Sequence, residues 1–273
     1  MKVTYYGHAC FSAVVGGKTL LFDPFISGNP LAKAIEVKSV PADFILVSHG
    51  HDDHVGDTVD IAKRTNALVI AGFEVGEWLL KQGVARVHHL NHGGGFNFDF
   101  GRVKYVNAIH SSTMPDGTYG GNAGGFVIES ADGNFYFSGD TALTLDMKLI
   151  GETTKLKFAA LCIGDNFTMG PDDAIRAADF VRCNEILGVH YDTFPPIKID
   201  QAAARAKFKA AGKTLHLLRP GETYDFESYL NRQDEHRPAV LIKPPLQFKD
   251  DMIVQPAGQE TFVLEHQLPG EEL

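Results

Sequence analysis

The amino-acid sequence predicts an α+β protein in which two mixed β-sheets pack against each other and helices lie outside them. Short runs rich in Val, Ile, Phe and Tyr alternate with turn residues, and these runs dominate the first quarter of the chain. Helical periodicity appears later, between further strand-like runs. Because each sheet must cover its apolar face, this order of elements favours packed sheets with helices on the outer surfaces.

Ten segments have the composition of β-strands, and each is bounded by Gly, Asp or Asn. Gly16-Gly17 and Asp132-Gly133 are typical of two-residue hairpin turns. These predicted strands are residues 3–6, 10–15, 19–22, 44–47, 68–70, 103–109, 125–128, 134–137, 158–163 and 185–189. Residues 214–218 are strand-like as well.

Helices are predicted mainly between the later strands. Pro171 suits a first helical position, and Asp172 and Asp173 follow where the helix dipole favours negative charge. Ile175, Ala178 and Val181 then form an apolar face at helical spacing. The other predicted helices are residues 56–65, 74–82, 143–151 and 200–211.

These elements predict one domain over residues 1–226 and a C-terminal extension over residues 227–273. The extension contains a polar run at residues 231–237 and the stiff segment Lys243-Pro244-Pro245, with no motif that indicates chemistry. Packing on the domain, contact with a neighbouring subunit and flexibility all remain open for it.

The bulk composition favours a cytoplasmic protein that does not bind nucleic acid. With 44% hydrophobic and 22% charged residues the chain can bury a sizeable core, and no apolar run approaches the roughly 20 residues of a membrane span. The net charge of −9 argues against a polyanionic partner. Cys10, Cys162 and Cys183 have no disulfide or metal spacing, so we expect reduced thiols.

The strongest chemical signal is the segment His49-Gly50-His51-Asp52-Asp53-His54, directly after the apolar run 44–47. Neutral imidazoles and carboxylates are ligands for zinc and similar divalent ions, and a loop leaving a strand can direct several of them to one place. A helix start that happens to be rich in histidine is the alternative. The crowding of four ligand-type residues favours a metal site.

Further ligand candidates follow three later strands. His110 comes after the run 103–109, Asp140 after the run 134–137, and His190 after the run 185–189. A single residue of this kind is more often a structural histidine or a turn-capping aspartate. Together with the His49–His54 segment, these three favour a functional site at one edge of the sheets.

The ordered set H-x-H-x-D-H, His, Asp, His resembles the metallo-β-lactamase superfamily. Within it, Tyr6-Gly7-His8-Ala9, Leu21-Phe22-Asp23-Pro24 and residues 164–171 resemble little-characterised bacterial metal-dependent hydrolases similar to ascorbate-6-phosphate lactonases. The resemblance covers residues 1–226. It implies a four-layer αββα sandwich with two divalent metal ions at one edge of the sheets.

The resemblance also implies how the ligands are divided. His49, His51 and His110 would hold one ion, Asp53, His54 and His190 the second, and Asp140 would bridge them. Zinc is the expected metal, with manganese or iron as alternatives. Asp at the bridging position and His51 in place of Glu indicate hydrolysis in preference to redox chemistry. Assembly into a homo-oligomer is a further expectation.

Four residues outside the ligand set are candidates for supporting or substrate-binding roles. Asp23 is either an acceptor for a ligand histidine N–H or a turn residue beside Pro24. His8, mainly through the resemblance, could contact substrate or protonate a leaving group, with a buried structural histidine as the alternative. Asn166 could line the pocket or belong to a plain turn. His92, next to a run of glycines, could lie in a loop near the pocket.

The expected activity is hydrolysis of an ester-like bond, a lactone or a phosphoester, in a small-molecule substrate. A metal-bound hydroxide would attack the carbonyl or phosphorus, with Asp53, Asp140 and His8 as the catalytic candidates. A phosphodiesterase acting on nucleic acid is disfavoured by the acidic balance. A metal-stabilised regulatory protein without turnover is the third reading, and the complete ligand set argues against it.

Overall fold

The computed structural model describes residues 1–226, and the predicted extension lies outside the described residues. The strands are β1 (Lys2–Gly7), β2 (Cys10–Val15), β3 (Lys18–Phe22), β4 (Phe44–Val47), β5 (Leu68–Gly72), β6 (Val87–Leu90), β7 (Gly95–Phe98), β8 (Gly101–Asn107), β9 (Gly124–Glu129), β10 (Asn134–Phe137), β11 (Leu156–Cys162), β12 (Glu185–Val189), β13 (Thr214–His216) and β14 (Thr223–Asp225). The α-helices are α1 (Asp52–Val55), α2 (Thr58–Thr65), α3 (Phe73–Lys81), α4 (Met147–Thr153), α5 (Pro171–Phe180) and α6 (Gln201–Ala210).

The strands form two mixed sheets of seven strands each. The first sheet has the order β14-β1-β2-β3-β4-β5-β6, antiparallel from β14 to β3 and parallel from β3 to β6. The second has the order β13-β12-β11-β10-β9-β8-β7, parallel from β13 to β10 and antiparallel from β10 to β7. The predicted fold class of two mixed sheets with helices is confirmed.

The main core lies between the sheets and is rich in phenylalanine. Phe11 stacks on Phe22 within the first sheet, with ring centroids 4.5 Å apart. Across the interface, the Phe22 ring lies 5.7 Å from Phe135 and 5.6 Å from Phe137 of the second sheet. Helices cover the outer surfaces. The apolar side of α5 belongs to the same continuous cluster of buried residues as the interface between the sheets, whereas α2 and α3 pack on the other face of the first sheet.

The sequence prediction differs from the structure mainly around the sheet edges. It missed β6, β7 and β14, because β7 and β14 are short and polar or half-exposed and β6 contains two histidines. It also extended β8 to residue 109, whereas the strand ends at Asn107. Beyond that point Ile109 donates its N–H to Thr141 Oγ1 and accepts from Ala142 N–H, so the chain leaves the sheet.

The strand directions bring chemically active residues to one edge. Strands β1, β3 and β4 of the first sheet run in one direction, as do β8, β10 and β12 of the second. Residues that follow the carboxyl ends of these strands therefore lie at one edge of each sheet. Six residues of the candidate site follow these strand ends: His8, Asp23, His49, His110, Asp140 and His190.

Two further sequence expectations can be compared with the structure. All three cysteines are buried and free, as expected from their spacing. Within residues 1–226, no helix combines the length and apolar composition that a membrane crossing requires.

The aromatic interface between the sheets makes a stability prediction. Phe135 is fully buried and packs on Phe22 and Phe158, so Phe135→Ala leaves a cavity and should lower the free energy of unfolding by about 3–5 kcal/mol. Phe167→Ala is the matched control, because its side chain is 57% exposed and should cost within about 0.5 kcal/mol. Denaturant unfolding followed by fluorescence or circular dichroism measures both. Equal losses in the two variants would contradict this description of the core.

Candidate metal centre

The segment after β4 places its ligand-type side chains in two directions. All four residues of β4 are buried, and the strand ends just before Ser48 and His49. His51 then caps the single-turn helix α1, and its carbonyl accepts the N–H groups of His54 and Val55. His49 and His51 precede this turn, whereas Asp53 and His54 lie within it. The turn therefore separates the segment into two pairs that join different groups of residues.

The first group, called here the histidine cluster, consists of His49, His51 and His110. His49 Nε2 lies 3.0 Å from His51 Nδ1, and the His110 ring lies 5.1 Å from each of the other two rings. One nitrogen from each residue falls within 4.8 Å of the others. His49 is fully buried, whereas His51 and His110 are partly exposed.

The second group, called the mixed cluster, consists of Asp53, His54 and His190. Asp53 Oδ1 lies 4.0 Å from His54 Nε2, and Asp53 Oδ2 lies 4.0 Å from His190 Nε2. The two imidazole rings are nearly parallel, with centroids 5.6 Å apart. Because His190 follows β12 and the other two follow β4, both sheets contribute to this cluster.

Asp140 lies between the two clusters. Its Oδ2 atom is 2.9 Å from His190 Nε2, 3.2 Å from His54 Nε2 and 3.6 Å from His110 Nε2. Asp140 is 2% exposed, and its Oδ1 atom has no hydrogen-bond partner within the described part of the chain. A single carboxylate thus contacts both clusters, as a bridging ligand would.

The donor set fits divalent metal ions. Tetrahedral zinc with bonds of about 2.0–2.1 Å keeps its ligand atoms roughly 3.3–3.4 Å apart, close to the 2.9–3.6 Å separations around Asp140 and within the histidine cluster. His54 Nε2 is buried and, like Asp140 Oδ1, makes no hydrogen bond among the described residues. Buried polar atoms are rarely left in this way unless something else binds them. The residues therefore fit the binding of divalent metal.

The electrostatic environment favours neutral imidazoles in the histidine cluster and an ionised Asp140. At His54, by contrast, burial lowers the pKa but the carboxylates of Asp140 and Asp23 outweigh it and raise the pKa well above its usual value. Burial, together with the neighbouring His54, holds the pKa of His49 well below its usual value. Burial likewise lowers the pKa of His51 and of His110. Burial alone would raise the pKa of Asp140, but the adjacent His190 and His54 outweigh it and lower the pKa well below its usual range. Neutral imidazoles and an ionised carboxylate are the ligand forms.

Asp23 lies beside a ligand-type histidine. Its Oδ2 atom is 2.7 Å from His54 Nδ1 and also accepts the Ser48 hydroxyl, and its Oδ1 atom accepts the Ser48 N–H. The residue is fully buried and has a left-handed backbone with φ of 38°. Asp23 is therefore more than a turn residue beside Pro24.

His8 is fully buried and lies against Asp53. Its Nε2 is 3.1 Å from Asp53 Oδ2 and its Nδ1 is 2.8 Å from Thr193 Oγ1. Burial lowers the pKa of His8 to about 4, although the bond to Asp53 opposes the shift, so the ring is neutral near pH 7. The role of His8 in protonating a leaving group stays a prediction. The position of its ring favours another role, that of holding Asp53.

The remaining two candidates lie apart from the contacts described so far. Asn166 is exposed, and its N–H donates to Asp165 Oδ1 in the loop after β11. His92 lies in the turn between β6 and β7, where Nε2 is 2.9 Å from the Ala123 carbonyl and the ring packs 4.7 Å from Tyr105. Their contact with substrate stays a prediction.

The sequence analysis missed three hydroxyl residues that contact the site. Ser48 Oγ lies 3.0 Å from His49 Nδ1, Ser111 Oγ lies 3.2 Å from His51 Nε2, and Thr193 contacts His8. Ser48 and Ser111 each adjoin a ligand-type histidine in the chain. That adjacency is a usable signal, whereas Thr193 and His8 are 185 residues apart and only the fold brings them together.

Comparisons with known proteins agree with this geometry. Residues 2–190 match a family model described as a beta-lactamase superfamily domain. A UPF0173 metal-dependent hydrolase from Flavobacterium johnsoniae is 54% identical over 225 residues, which are 82% of this chain and 100% of the relative. One from Methylacidiphilum infernorum is 50% identical, covering 82% of this chain and 99% of the relative.

A solved structure extends the likeness to three dimensions. Igni18, a metallo hydrolase from the archaeon Ignicoccus hospitalis, superposes with a TM-score of 0.74 at 32% identity, covering 83% of this chain and 99% of its own. The sandwich of two mixed sheets, the convergent ligands and these relatives lead to one conclusion. The chain belongs to the metallo-β-lactamase superfamily, among its UPF0173 metal-dependent hydrolases.

Proposed function

We propose that this metal-dependent hydrolase cleaves an ester-like bond in a small molecule, with two divalent ions held by the histidine cluster and the mixed cluster. The single observation that carries the proposal is the position of Asp140, whose Oδ2 atom lies within 3.6 Å of histidine nitrogens from both clusters. A site for one ion would not need a carboxylate at this point. Zinc is the proposed metal, because imidazole nitrogen and carboxylate oxygen suit it.

When bound, a pair of such ions lowers the pKa of water toward about 7 and stabilises negative charge on a reacting oxygen. The chain's own residues hold the ligand carboxylates and imidazoles in position. Asp53 has a 30% exposed side chain, so its carboxylate reaches the open side of the mixed cluster. Neutral His8 donates from Nε2 to Asp53 Oδ2, with Thr193 as the partner of Nδ1. Burial raises the pKa of Asp53, but the contact with His8 outweighs it and lowers that pKa, so the carboxylate is oriented and stays ionised at neutral pH.

The loops that follow the strands near the site lack arginine, which favours a substrate without a phosphate group. The loops after β3, β4, β8, β10, β11 and β12, taken as residues 23–43, 48–57, 108–123, 138–146, 163–170 and 190–200, contain twelve carboxylates, three lysines and no arginine. Phosphate groups are usually recognised by arginine or lysine. Ile109, next to His110, is 54% exposed and adds apolar surface. We therefore favour a lactone or carboxylic ester over a phosphoester.

We also propose the compartment in which the enzyme acts and the class of substrate that it does not take. Three buried, free cysteines suit a reducing compartment, so we place the enzyme in the cytoplasm. The net charge of −9 disfavours a nucleic-acid substrate, because proteins that bind nucleic acid usually carry a basic surface.

The dinuclear model predicts the metal content of two variants. The wild-type chain should retain close to two equivalents of zinc after dialysis, as measured by elemental analysis. Asp140→Ala removes the shared carboxylate and should lose metal, with kcat/KM falling on the order of 10²-fold or more. Asp146→Ala is the matched control, since that exposed carboxylate of the same loop bonds Asn107 and should keep both ions. Full metal content and activity in Asp140→Ala would refute the assignment.

A substrate panel tests the proposed bond type. Zinc-loaded enzyme is assayed with an uncharged lactone, a carboxylic ester, a phosphomonoester and a phosphodiester of similar size. We expect kcat/KM for the lactone or carboxylic ester to exceed that for the phosphomonoester by at least about 10-fold, because the loops after β3, β4, β8, β10, β11 and β12 contain no arginine to bind a phosphate group. Preference for the phosphomonoester would overturn the substrate class while leaving hydrolysis intact. No turnover of any of the four would argue against the proposed function itself.

A further inference from the structure

We infer that Asp23 and Ser48 form a hydrogen-bond relay that orients one histidine in each metal-binding cluster, so that both clusters depend on one buried carboxylate. The inference rests on the proposed dinuclear function. It assigns Ser48 as a positioning residue for the histidine cluster and Asp23 as a positioning residue for both clusters.

The relay is a continuous set of short contacts. His49 Nδ1 lies 3.0 Å from Ser48 Oγ, and Ser48 Oγ lies 2.5 Å from Asp23 Oδ2. The same Oδ2 atom lies 2.7 Å from His54 Nδ1. His49 belongs to the histidine cluster and His54 to the mixed cluster, so the contacts run from one cluster to the other through a single carboxylate oxygen.

The proton positions follow from the chemistry of the partners. A histidine that binds metal through Nε2 carries its proton on Nδ1, and that N–H must donate. His49 can donate only to Ser48 Oγ, whose single proton then goes to Asp23 Oδ2. His54 Nδ1–H donates to the same oxygen. The carboxylate thus ends both branches and fixes the tautomers that direct both Nε2 atoms at the metal sites.

Because the relay residues are buried, water does not reach them to replace these hydrogen bonds. Asp23, Ser48, His49 and His54 are each 0% exposed. The backbone around Ser48 is held as well, since its carbonyl accepts Tyr105 Oη–H at 2.8 Å and Gly124 N–H at 3.1 Å. A Cβ added to Gly139 would come within 2.9 Å of Ser48 Cβ, so the Ser48 side chain packs tightly against Gly139.

The relay is asymmetric, and this asymmetry makes it testable. Loss of the Ser48 hydroxyl leaves His49 Nδ1–H without a partner but leaves Asp23 bound to His54. Loss of the Asp23 charge affects both branches. His51 lies outside the relay, because its Nε2 faces Ser111 Oγ at 3.2 Å.

The experiment measures zinc affinities by competition with a chromophoric chelator. Ser48→Ala should weaken one of the two equivalents by about 10–100-fold and leave the other unchanged, whereas Asp23→Asn should weaken both. His51→Ala damages the histidine cluster and leaves the mixed cluster to be measured. In that background Ser48→Ala should change nothing further, and Asp23→Asn should still weaken the remaining ion.

Control variants separate positioning from folding. Ser12→Ala removes another buried hydroxyl, which contacts Tyr6 Oη at 3.3 Å, and should leave both affinities unchanged. Ser48→Cys keeps a group at the Oγ position and should give an affinity between those of serine and alanine. The unfolding temperature of the metal-free protein reports whether each variant folds.

Three outcomes would count against these assignments. Unchanged zinc affinities in Ser48→Ala would overturn the relay, and so would a loss of affinity caused by Ser48→Ala in the His51→Ala background. Fewer than two equivalents in the wild-type chain would instead contradict the dinuclear function, and with it any coupling of two sites. The failure of the relay and the failure of the function are therefore distinguishable.

Discussion

The convergence of three histidine nitrogens on one oxygen of Asp140 is the constraint on which the rest of the site depends. Asp140 is buried, so its charge needs compensation, and His54, His110 and His190 approach it from strands of both sheets. Isolated buried charges are strongly unfavourable. The phenylalanine-rich interface holds the two sheets at the separation that lets these groups meet. The geometry of the site therefore depends on the packing of the core.

The sequence alone was sufficient to predict most of the fold. Continuous apolar runs such as Phe44–Val47 and residues 158–162 belong to buried parallel strands, and their apolar composition indicates this burial directly. Strands β7 and β14 were missed because pairing with a neighbour, and not their own composition, makes them strands. The end of β8 was misjudged for a similar reason. Ile109 looks like a strand residue, but its N–H and carbonyl bond to the loop at residues 141–142.

For the candidate site, the ligand-type residues could be named from their dense spacing and their places after strands. Their division into two clusters around Asp140 came from the family resemblance and stays a prediction. The structure brings His49, His51 and His110 close together in one group, and it places His8 with Asp53, His54 and His190 in another. Most of the supporting contacts could not be predicted from the sequence. Nothing in the sequence indicates that Thr193 bonds His8, or that the hydroxyl of Ser48 lies between Asp23 and His49. Such contacts depend on side-chain placement across the fold, which residue spacing does not encode.

The left-handed backbone of Asp23 is shared by two other residues of the site, His8 at φ 56° and His190 at φ 57°. A residue with a Cβ in this conformation costs on the order of 1 kcal/mol or more, and glycine would avoid the cost. Each of these residues turns the chain sharply at a strand end and also presents the side chain that the site uses. Replacement by glycine would relieve this backbone strain, but it would also remove a buried side chain and leave its partners, such as Ser48 and His54 beside Asp23, without hydrogen bonds. A change that relaxes the turn at any of these three places therefore also dismantles the site.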